Sequence, residues 1–589
     1  MIFGKHINRY YLKYAPILLL GAFALILVDY FQLIIPKLYG MLIDGLDKGE
    51  VLYKGVLTPF DLDFLLDKIC LPIVGIVLVM VLGRFLWRVC FFGSAIRVET
   101  DIRIRMFDHC KDLSRDYYQV NKVGNLMSLF TNDLDTIQEC FGDGMLMFFD
   151  ALFLGLLGFY NMWRMDPSLT LLTLIPLGLI LLIGTLMGKA MMKQWEVRQQ
   201  AFSNLSDFAQ ESFSGYAVIK AFVKELKQLL SFRTLNVDNE KANVKYTKIS
   251  NLMHVLIVLL VETVICVILG YGGYLVHESK FTAGRLVEYI GYFSSVVWPV
   301  MAVSMLIEKS ARGKASMKRV AELLEAEITV RDAEGTKALD AVKGDIEFKN
   351  LTFRYPDGEF DALQDVSFKI NAGESVGIVG KTGSGKTTLV DLILRTYNVP
   401  DGTLFVDGRD VNELTIRSVR DGCAYVPQDN FLFSDTITNN INFAFDDVDD
   451  AAIENSAVLA NVHDNIAEFK DKYGTILGER GVTVSGGQKQ RISIARALMK
   501  NAAILILDDS VSAVDTDTEK VILENLKSSR EGKTTILIAH RISTIENMDK
   551  IIFIEDGRVI AVGTHEELVA SCPEYAKMVE LQRLEDAVK

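Results

Sequence analysis

Long apolar stretches dominate the first half of the chain. Six of them are long enough to cross a lipid bilayer as helices, which takes about 20 mostly apolar residues each. They cover, approximately, residues 15–36, 69–92, 144–163, 168–188, 252–276 and 286–308. We therefore predict a membrane domain with six transmembrane helices.

The charges around these stretches predict how the chain passes through the membrane. Lys5, Arg9 and Lys13 precede the first stretch, which places the N-terminus in the cytoplasm because basic residues are retained on that side. The first stretch is too long for a signal-peptide core and lacks a small-residue cleavage site, so we expect it to remain as a helix. Residues 37–68 then form an external loop, and the sixth crossing returns the chain to the cytoplasm.

Two polar segments between the stretches have helical patterns with few Gly or Pro breaks. They cover residues 93–142 and 189–251. We expect the transmembrane helices to continue through these segments into the cytoplasm, as rods that carry motion between a cytoplasmic domain and the membrane.

The pattern changes after residue 341. Short runs typical of β-strands, such as 345–353 and 375–379, now occur together with helical segments. The predicted fold is therefore a multidomain membrane protein. Its parts are a six-helix membrane domain at residues 1–320, a linker at 321–342, and a cytoplasmic α/β nucleotide-binding domain at 343–589.

Composition and charge exclude several classes of protein. Half of the residues are hydrophobic and the net charge is −13, with 27 Lys and Arg against 41 Asp and Glu from residue 341 onward. So apolar a chain is not disordered, and the acidic second half repels phosphate backbones, so we expect no nucleic-acid partner. The seven cysteines are scattered without a CxxC pair, which argues against a disulfide framework or a zinc site.

A glycine-rich motif at residues 380–388 predicts phosphate binding. The sequence GKTGSGKTT follows a strand-like run and matches the P-loop pattern GxxxxGK[ST]. Its glycines let backbone N–H groups surround phosphates, Lys386 adds positive charge, and Thr387 offers a hydroxyl to Mg²⁺. The predicted ATP contacts are Gly380, Lys381, Thr382, Gly383, Ser384, Gly385, Lys386, Thr387 and Thr388.

A second motif supplies two carboxylates. The apolar run at residues 504–507 ends in Asp508 and Asp509. Asp508 suits a role in holding Mg²⁺, together with Thr387. The next residue, Asp509, occupies the position that orients or deprotonates the attacking water.

The sequence between these two motifs resembles the signature of ATP-binding cassette (ABC) proteins. Ser485, Gly486, Gly487 and Gln488 form it, and residues 478–481 resemble the segment that precedes it in exporters. The resemblance implies ATP and Mg²⁺ as cofactors and gives roles to four further residues. These are Tyr355, stacking on adenine; Gln428, a catalytic and metal-contacting residue of the Q-loop between ATP and the membrane domain; Asp515 in the D-loop; and His540, contacting the γ-phosphate.

The membrane half also resembles exporters of this family. Residues 122–133 and 212–222 are similar to the segments at the two coupling helices of such exporters. Six spans followed by one cassette imply a half-transporter that pairs with a second half-transporter.

One residue departs from the family pattern. The family usually has Glu where this chain has Asp509, whose carboxylate reaches less far, so we expect poor hydrolysis at this site. The resemblance then implies a heterodimer. This chain would contribute a degenerate ATP site, and Ser485–Gln488 would complete the partner's competent site. Residues 139–144 resemble an acidic-glycine stretch of heterodimeric bacterial multidrug exporters. The alternatives are a homodimeric lipid flippase or exporter and a regulatory ATP-binding subunit.

Charges inside the spans are candidates for substrate contact. Glu262 lies near the middle of the fifth span, where a carboxyl group is costly and usually faces a cavity or a partner. A structural hydrogen bond is the alternative. Asp29 and Asp150 are weaker candidates, and Arg84 and Arg88 are expected to reach the lipid headgroups. The resemblance implies hydrophobic or amphipathic substrates, contact with membrane lipid, and a location in the bacterial cytoplasmic membrane.

Overall fold

The computed structural model describes residues 4–478, 481, 483–512 and 514–588. The chain forms two compact units. One consists of Met1–Lys111 and Val123–Ala326, and the other of Asp112–Lys122 and Glu327–Lys589. The second unit thus includes a short segment from the first half of the sequence, Asp112–Lys122. The predicted domain bounds had assigned this segment to the membrane domain.

The first unit is helical, and six of its helical stretches, counted over the described residues, are long and apolar enough to cross a membrane. This confirms the six predicted spans and extends them well beyond their apolar parts. The helices are α1 (Asn8–Lys13), α2 (Ala15–Gln32), α3 (Ile34–Lys48), α4 (Leu62–Phe64), α5 (Leu71–Cys110), α7 (Val123–Ser128), α8 (Leu134–Met165), α9 (Pro167–Ser214), α10 (Tyr216–Ala221), α11 (Glu225–His277) and α12 (Ala283–Leu324). Short π-helical segments, Leu65–Cys70 and Leu129–Asp133, precede α5 and α8.

The predicted external loop at residues 37–68 is wrong in its first part. Helix α3 continues to Lys48 and ends at Gly49, whose φ of +70° lies in the left-handed region that favours glycine. A two-stranded hairpin follows, formed by β1 (Glu50–Tyr53) and β2 (Val56–Pro59). The loop prediction relied on the charged residues of this region, but α3 places them on one side of an amphipathic helix.

Helices α3 and α12 approach each other at backbone distance. A Cβ atom at Gly40 would lie 2.8 Å from the Gly284 carbonyl oxygen, so a larger residue does not fit. Asp44 fixes the start of α12, because its carboxylate accepts hydrogen bonds from the Thr282 hydroxyl (2.7 Å) and the Gly284 N–H (2.8 Å).

The acidic stretch at residues 139–144 has a structural partner within the same unit. Lys309 on α12 forms ion pairs with Glu139 (3.3 Å) and Asp143 (2.5 Å) on α8. These contacts account for the two acidic residues without a second chain.

The second unit contains two sheets. The larger has the strand order β12-β11-β5-β10-β9-β8, parallel except for β12, and the smaller is antiparallel with the order β4-β3-β6-β7. The strands are β3 (Ile346–Phe353), β4 (Leu363–Ile370), β5 (Ser375–Val379), β6 (Leu404–Val406), β7 (Arg409–Asp410), β8 (Cys423–Val426), β9 (Ile504–Asp508), β10 (Thr534–Ile538), β11 (Lys550–Glu555) and β12 (Arg558–Gly563).

Helices cover these sheets and bury their apolar side chains in two clusters. Strands β9 and β10 are buried along their whole length, as expected for central parallel strands. The helices are α6 (Arg115–Val120), α13 (Lys386–Ile393), α14 (Ile416–Asp421), α15 (Ile437–Ile441), α16 (Asp450–Leu459), α17 (His463–Ala467), α18 (Gly486–Lys500), α19 (Thr516–Ser529), α20 (Ile542–Ile545), α21 (His565–Ser571) and α22 (Pro573–Val588).

Candidate nucleotide-binding site

Four parallel strands of the larger sheet bring the sequence motifs to one edge. Strands β5, β10, β9 and β8 lie side by side and in the same direction, and ligands bind at the carboxyl ends of such strands. The segments that follow them line a pocket of about 280 Å³. Its lining residues are Tyr355, Ala362, Thr382, Gly383, Gly385, Lys386, Thr387, Thr388, Gln428, Asp508, Asp509, Ile538 and His540.

The loop between β5 and α13 is shaped for an anion. Gly383 and Gly385 have φ values of +83° and +98°, and a Cβ atom at Gly385 would lie 2.9 Å from the Ala362 carbonyl oxygen. Helix α13 begins immediately afterwards, so its free N–H groups point toward the loop. The Ser384 hydroxyl is buried and has no hydrogen-bond partner among the described residues.

Lys386 is held inside this loop. Its Nζ donates hydrogen bonds to the carbonyl oxygens of Gly380 and Lys381, both at 2.8 Å. Burial lowers the pKa of Lys386, an effect that the negative charges of Asp508 and Asp509 oppose. Both of these acceptors are neutral carbonyls, and an ammonium group binds a negatively charged phosphate oxygen more strongly than a neutral oxygen.

Asp508 and Thr387 together fit a Mg²⁺ ion. Asp508 is 2% exposed, and its Oδ2 has no hydrogen-bond partner in the described part of the chain. Burial raises the pKa of Asp508, and a hydrogen bond from the Thr387 hydroxyl lowers it. Hard oxygen donors of this kind, with Gln428 at the same pocket, are the ligands that Mg²⁺ prefers.

The backbone of Asp509 is fixed on both sides. Its N–H donates to the Ile538 carbonyl oxygen (2.9 Å), and its own carbonyl oxygen accepts from the Ser512 hydroxyl (2.9 Å) and from Gln490 Nε2 (3.3 Å). Its φ of +48° lies in the left-handed region, which Asp tolerates better than most residues. The reach of this carboxylate into the pocket therefore depends on the length of the side chain.

Tyr355 forms one wall of the pocket. Its hydroxyl shares a hydrogen bond of 2.8 Å with the Thr388 hydroxyl, and its ring packs edge-on against Phe353 and Tyr397. The ring is half-buried. Ala362 and Ile538 add apolar surface to the pocket. Sequence reasoning missed these two residues because no motif covers them.

Other predicted site residues lie outside the pocket lining. Ser485 caps α18 in a capping box with Gln488, and Asp515 caps α19 through the Thr518 N–H at 2.9 Å, which lowers the pKa of Asp515. Lys381 is exposed and pairs with Glu555. Within the 478–481 segment, residues 479 and 480 lie outside the described part of the chain.

The short segment Asp112–Lys122 reaches the helix that follows the P-loop. Arg115 on α6 forms an ion pair with Asp391 on α13, and the Ser114 hydroxyl is 2.5 Å from the Thr329 hydroxyl. Asp391 is 3% exposed; burial raises its pKa and the Arg115 guanidinium lowers it. Sequence reasoning missed this pair, because a single Arg in a polar segment gives no signal of its own.

The candidate substrate residue Glu262 is exposed on α11. A cavity in the same unit is lined by other residues, among them Asp29, Arg84 and Asp150. The Arg84 guanidinium donates to Gln32 Oε1 at 3.1 Å, and its reach to the lipid headgroups stays a prediction.

Comparisons with known proteins agree with this geometry. Residues 18–300 match the family "ABC transporter transmembrane region", and residues 363–512 match the family "ABC transporter". The chain is 36% identical to the "Probable multidrug resistance ABC transporter ATP-binding/permease protein YheI" of Bacillus subtilis (strain 168), over 99% of this chain and 97% of that protein. The chain belongs to the ABC transporter family.

Two further similarities support the exporter type within this family. The ABC chain is 34% identical to the "Multidrug resistance-like ATP-binding protein MdlA" of Escherichia coli (strain K12), over 97% of this chain and 95% of that protein. A solved structure of a bacterial Atm1-family ABC exporter with ATP bound has a TM-score of 0.78 and 26% identity, with 98% of both chains covered. The protein is thus a multi-pass ABC exporter half-transporter with an ATP-binding domain. ABC half-transporters function as dimers.

Proposed function

We propose that this half-transporter uses ATP to export hydrophobic or amphipathic compounds across the bacterial cytoplasmic membrane. The names of two relatives refer to multidrug resistance, and the six spans offer mostly apolar surface. The single observation that carries the ATP-driven part is the pocket at the carboxyl ends of β5, β10, β9 and β8.

The residues of the pocket have distinct roles in this proposal. Lys386 exchanges its carbonyl acceptors for phosphate oxygens, and the N–H groups of the loop and of α13 surround the phosphates. Tyr355 stacks on adenine, and His540 contacts the γ-phosphate. Thr387, Gln428 and Asp508 hold Mg²⁺, which supplies positive charge that neutralises the phosphates.

Asp509 makes this site the slower one of the assembled transporter. Its carboxylate is one C–C bond, about 1.5 Å, shorter than that of glutamate, and its fixed backbone cannot move to compensate. A displacement of about 1 Å can cost about 100-fold in rate. We therefore propose a heterodimer in which Ser485–Gln488 complete a competent site on the partner's ATP. ATP binding closes the dimer, hydrolysis at the competent site reopens it, and the spans alternate between inward- and outward-facing states.

Two other functions compete with this one. In a homodimeric exporter or lipid flippase, Asp509 would suffice for hydrolysis. In a regulatory ATP-binding subunit, the chain would gate a partner without moving substrate. Uptake of a dye into inverted vesicles separates transport from regulation, and stimulation of ATP turnover by lipid favours the flippase.

The decisive experiment compares ATP turnover by the purified wild-type chain in lipid with turnover by Asp509→Glu. We expect the wild type to turn over far more slowly than the few cycles per second of a working enzyme. The variant should be about 100-fold faster, because its carboxylate reaches the water.

Two controls make this comparison interpretable. Lys386→Ala in the Asp509→Glu background should abolish the gain, which assigns the turnover to this pocket. Thermal unfolding without ATP detects any strain from Glu at the left-handed φ of residue 509. Wild-type turnover of several cycles per second would contradict the degenerate site and favour the homodimer.

A further inference from the structure

The membrane unit contains a partly open cavity of about 240 Å³, lined by polar and apolar residues. It lies among helices α2, α5, α8 and α12, and Asp29, Gln32, Arg84, Trp87, Asp150 and Trp298 belong to its lining. An engineered apolar cavity of about 150 Å³ is large enough to bind benzene. The cavity therefore has room for a small organic group, and its polar lining sets it apart from an ordinary packing defect.

Asp29 is the residue that points to a ligand. It is 2% exposed and lines the cavity, and its Oδ2 has no hydrogen-bond partner among the described residues. Leaving a buried acceptor without a partner costs stability. Such a cost inside a membrane domain usually marks a functional position.

The other polar groups of the cavity leave this oxygen free. Asp150 accepts a hydrogen bond from Trp298 Nε1 at 2.9 Å. Arg84 donates to Gln32 Oε1 at 3.1 Å. Its positive charge acts on Asp29 and Asp150 without a hydrogen bond or ion pair to either in the described part of the chain. When both carboxyl groups are ionised, the two aspartates outnumber the one guanidinium, and the cavity carries an excess negative charge.

The rest of the lining fits an organic cation better than a metal ion. Trp87 and Trp298 contribute aromatic rings to the lining, and such rings attract cations; the Arg88 guanidinium already lies 5.3 Å from the centroid of the Trp87 ring. The Ser294 and Ser295 hydroxyls donate to backbone carbonyl oxygens of their own helix, so their oxygens act toward the cavity only as acceptors. A positively charged Arg84 beside the carboxylates disfavours a divalent metal.

We infer that this cavity is a subsite for the protonated nitrogen of an organic amine, with Asp29 Oδ2 as the acceptor and the two tryptophans beside the attached apolar group. The inference rests on the proposed export function, since it names the class of compound exported: amphipathic amines. It gives this chain a substrate contact formed by its own helices.

The test is a binding measurement on the full chain in lipid nanodiscs. The chain has four tryptophans, so Trp163→Phe and Trp195→Phe leave the two of the cavity as fluorescent reporters. The probes are 4-phenylbutylamine, which is protonated at pH 7, and 4-phenylbutan-1-ol, its neutral counterpart. We expect saturable quenching by the amine at a concentration at least about tenfold lower than by the alcohol, as for a hydrogen bond to a charged group.

Substitutions then assign the difference to Asp29. Asp29→Asn should weaken amine binding about tenfold and leave alcohol binding unchanged. The control is Asp67→Asn, which alters an exposed carboxylate next to α5 and should change neither. Equal binding of both probes by the chain that keeps only the two cavity tryptophans, or no response of those tryptophans, overturns the inference, and this comparison requires no substitution at Asp29.

These experiments distinguish failure of the proposed amine subsite from failure of the proposed export function. If the assembled transporter exports no dye but the amine still binds preferentially, the export function is wrong and the site stands as an amine site. If export occurs and the two probes bind equally, the amine subsite alone is wrong.

Discussion

Ser485 has a structural role in capping α18 and a proposed role in ATP binding, and Ser485→Ala would remove both. Its side chain accepts a hydrogen bond from the Gln488 N–H (3.3 Å), and Gln488 Oε1 accepts one from the Ser485 N–H (3.0 Å). This capping box stabilises α18, and loss of such a cap costs about 1 kcal/mol. The proposed heterodimer also assigns Ser485 to the ATP of the partner.

Ser485→Asp should separate the two purposes. Asp caps a helix as well as Ser does, so we expect the thermal unfolding midpoint to stay unchanged, whereas Ser485→Ala should lower it by about 2–4 °C. The added negative charge should repel the partner's phosphates and reduce ATP turnover of the assembled transporter about 100-fold. Full turnover by the Asp variant would show that the signature does not face ATP.

At the scale of elements, helix α6 belongs to the second unit, and the ion pair of Arg115 with the buried Asp391 links it to α13. Asp391 lies on α13, the helix that begins at Lys386 of the P-loop. Any shift of α13 would therefore be passed to α6 through this ion pair. This gives the segment Asp112–Lys122 a physical route to sense nucleotide.

Arg115→Ala should destabilise the second unit by about 1–3 kcal/mol, because it removes a partner of a buried carboxylate. Thermal unfolding of the full chain measures the effect. Arg417→Ala is the matched control, because Arg417 pairs with Asp421 on the exposed surface of α14, and such pairs contribute about 0–1 kcal/mol. Equal effects of the two substitutions would argue that the pair does not anchor α6.

For the whole molecule, the proposed topology places the hairpin β1–β2 outside the cell and the nucleotide-binding unit inside. Both regions offer a well exposed valine, Val56 in β2 at 67% and Val448 before α16 at 57%. They form a matched pair for a labelling experiment.

Val56→Cys should react with a membrane-impermeant maleimide on intact cells, whereas Val448→Cys should react only after the cells are permeabilised. Labelling is read as the gain over the wild type, whose Cys70 and Cys266 are exposed and whose Cys423 is not. Burial raises the pKa of Cys423 to about 12, so this thiol stays unreactive at neutral pH. The reverse pattern of labelling would invert the topology.

The sequence by itself determined the features that depend on neighbouring residues. The six spans follow from uninterrupted apolar stretches, because a helix in lipid must satisfy its own backbone and cover itself with apolar side chains. The P-loop and the pair Asp508–Asp509 follow from motifs whose spacing is local. The helical continuation to Lys48 was missed because the charged residues of this region suggested a loop. Their spacing in fact places them on one side of an amphipathic helix.

Tertiary structure alone decided which distant residues meet. The strand order places β10 between β5 and β9, which brings His540 beside Lys386 and Asp509. Packing of α2, α5, α8 and α12 gathers Asp29, Asp150 and Trp298 around one cavity and leaves Glu262, the residue favoured from the sequence, exposed. Sequence position gives the depth of a charge within a span, but the direction it faces depends on which helices pack against it.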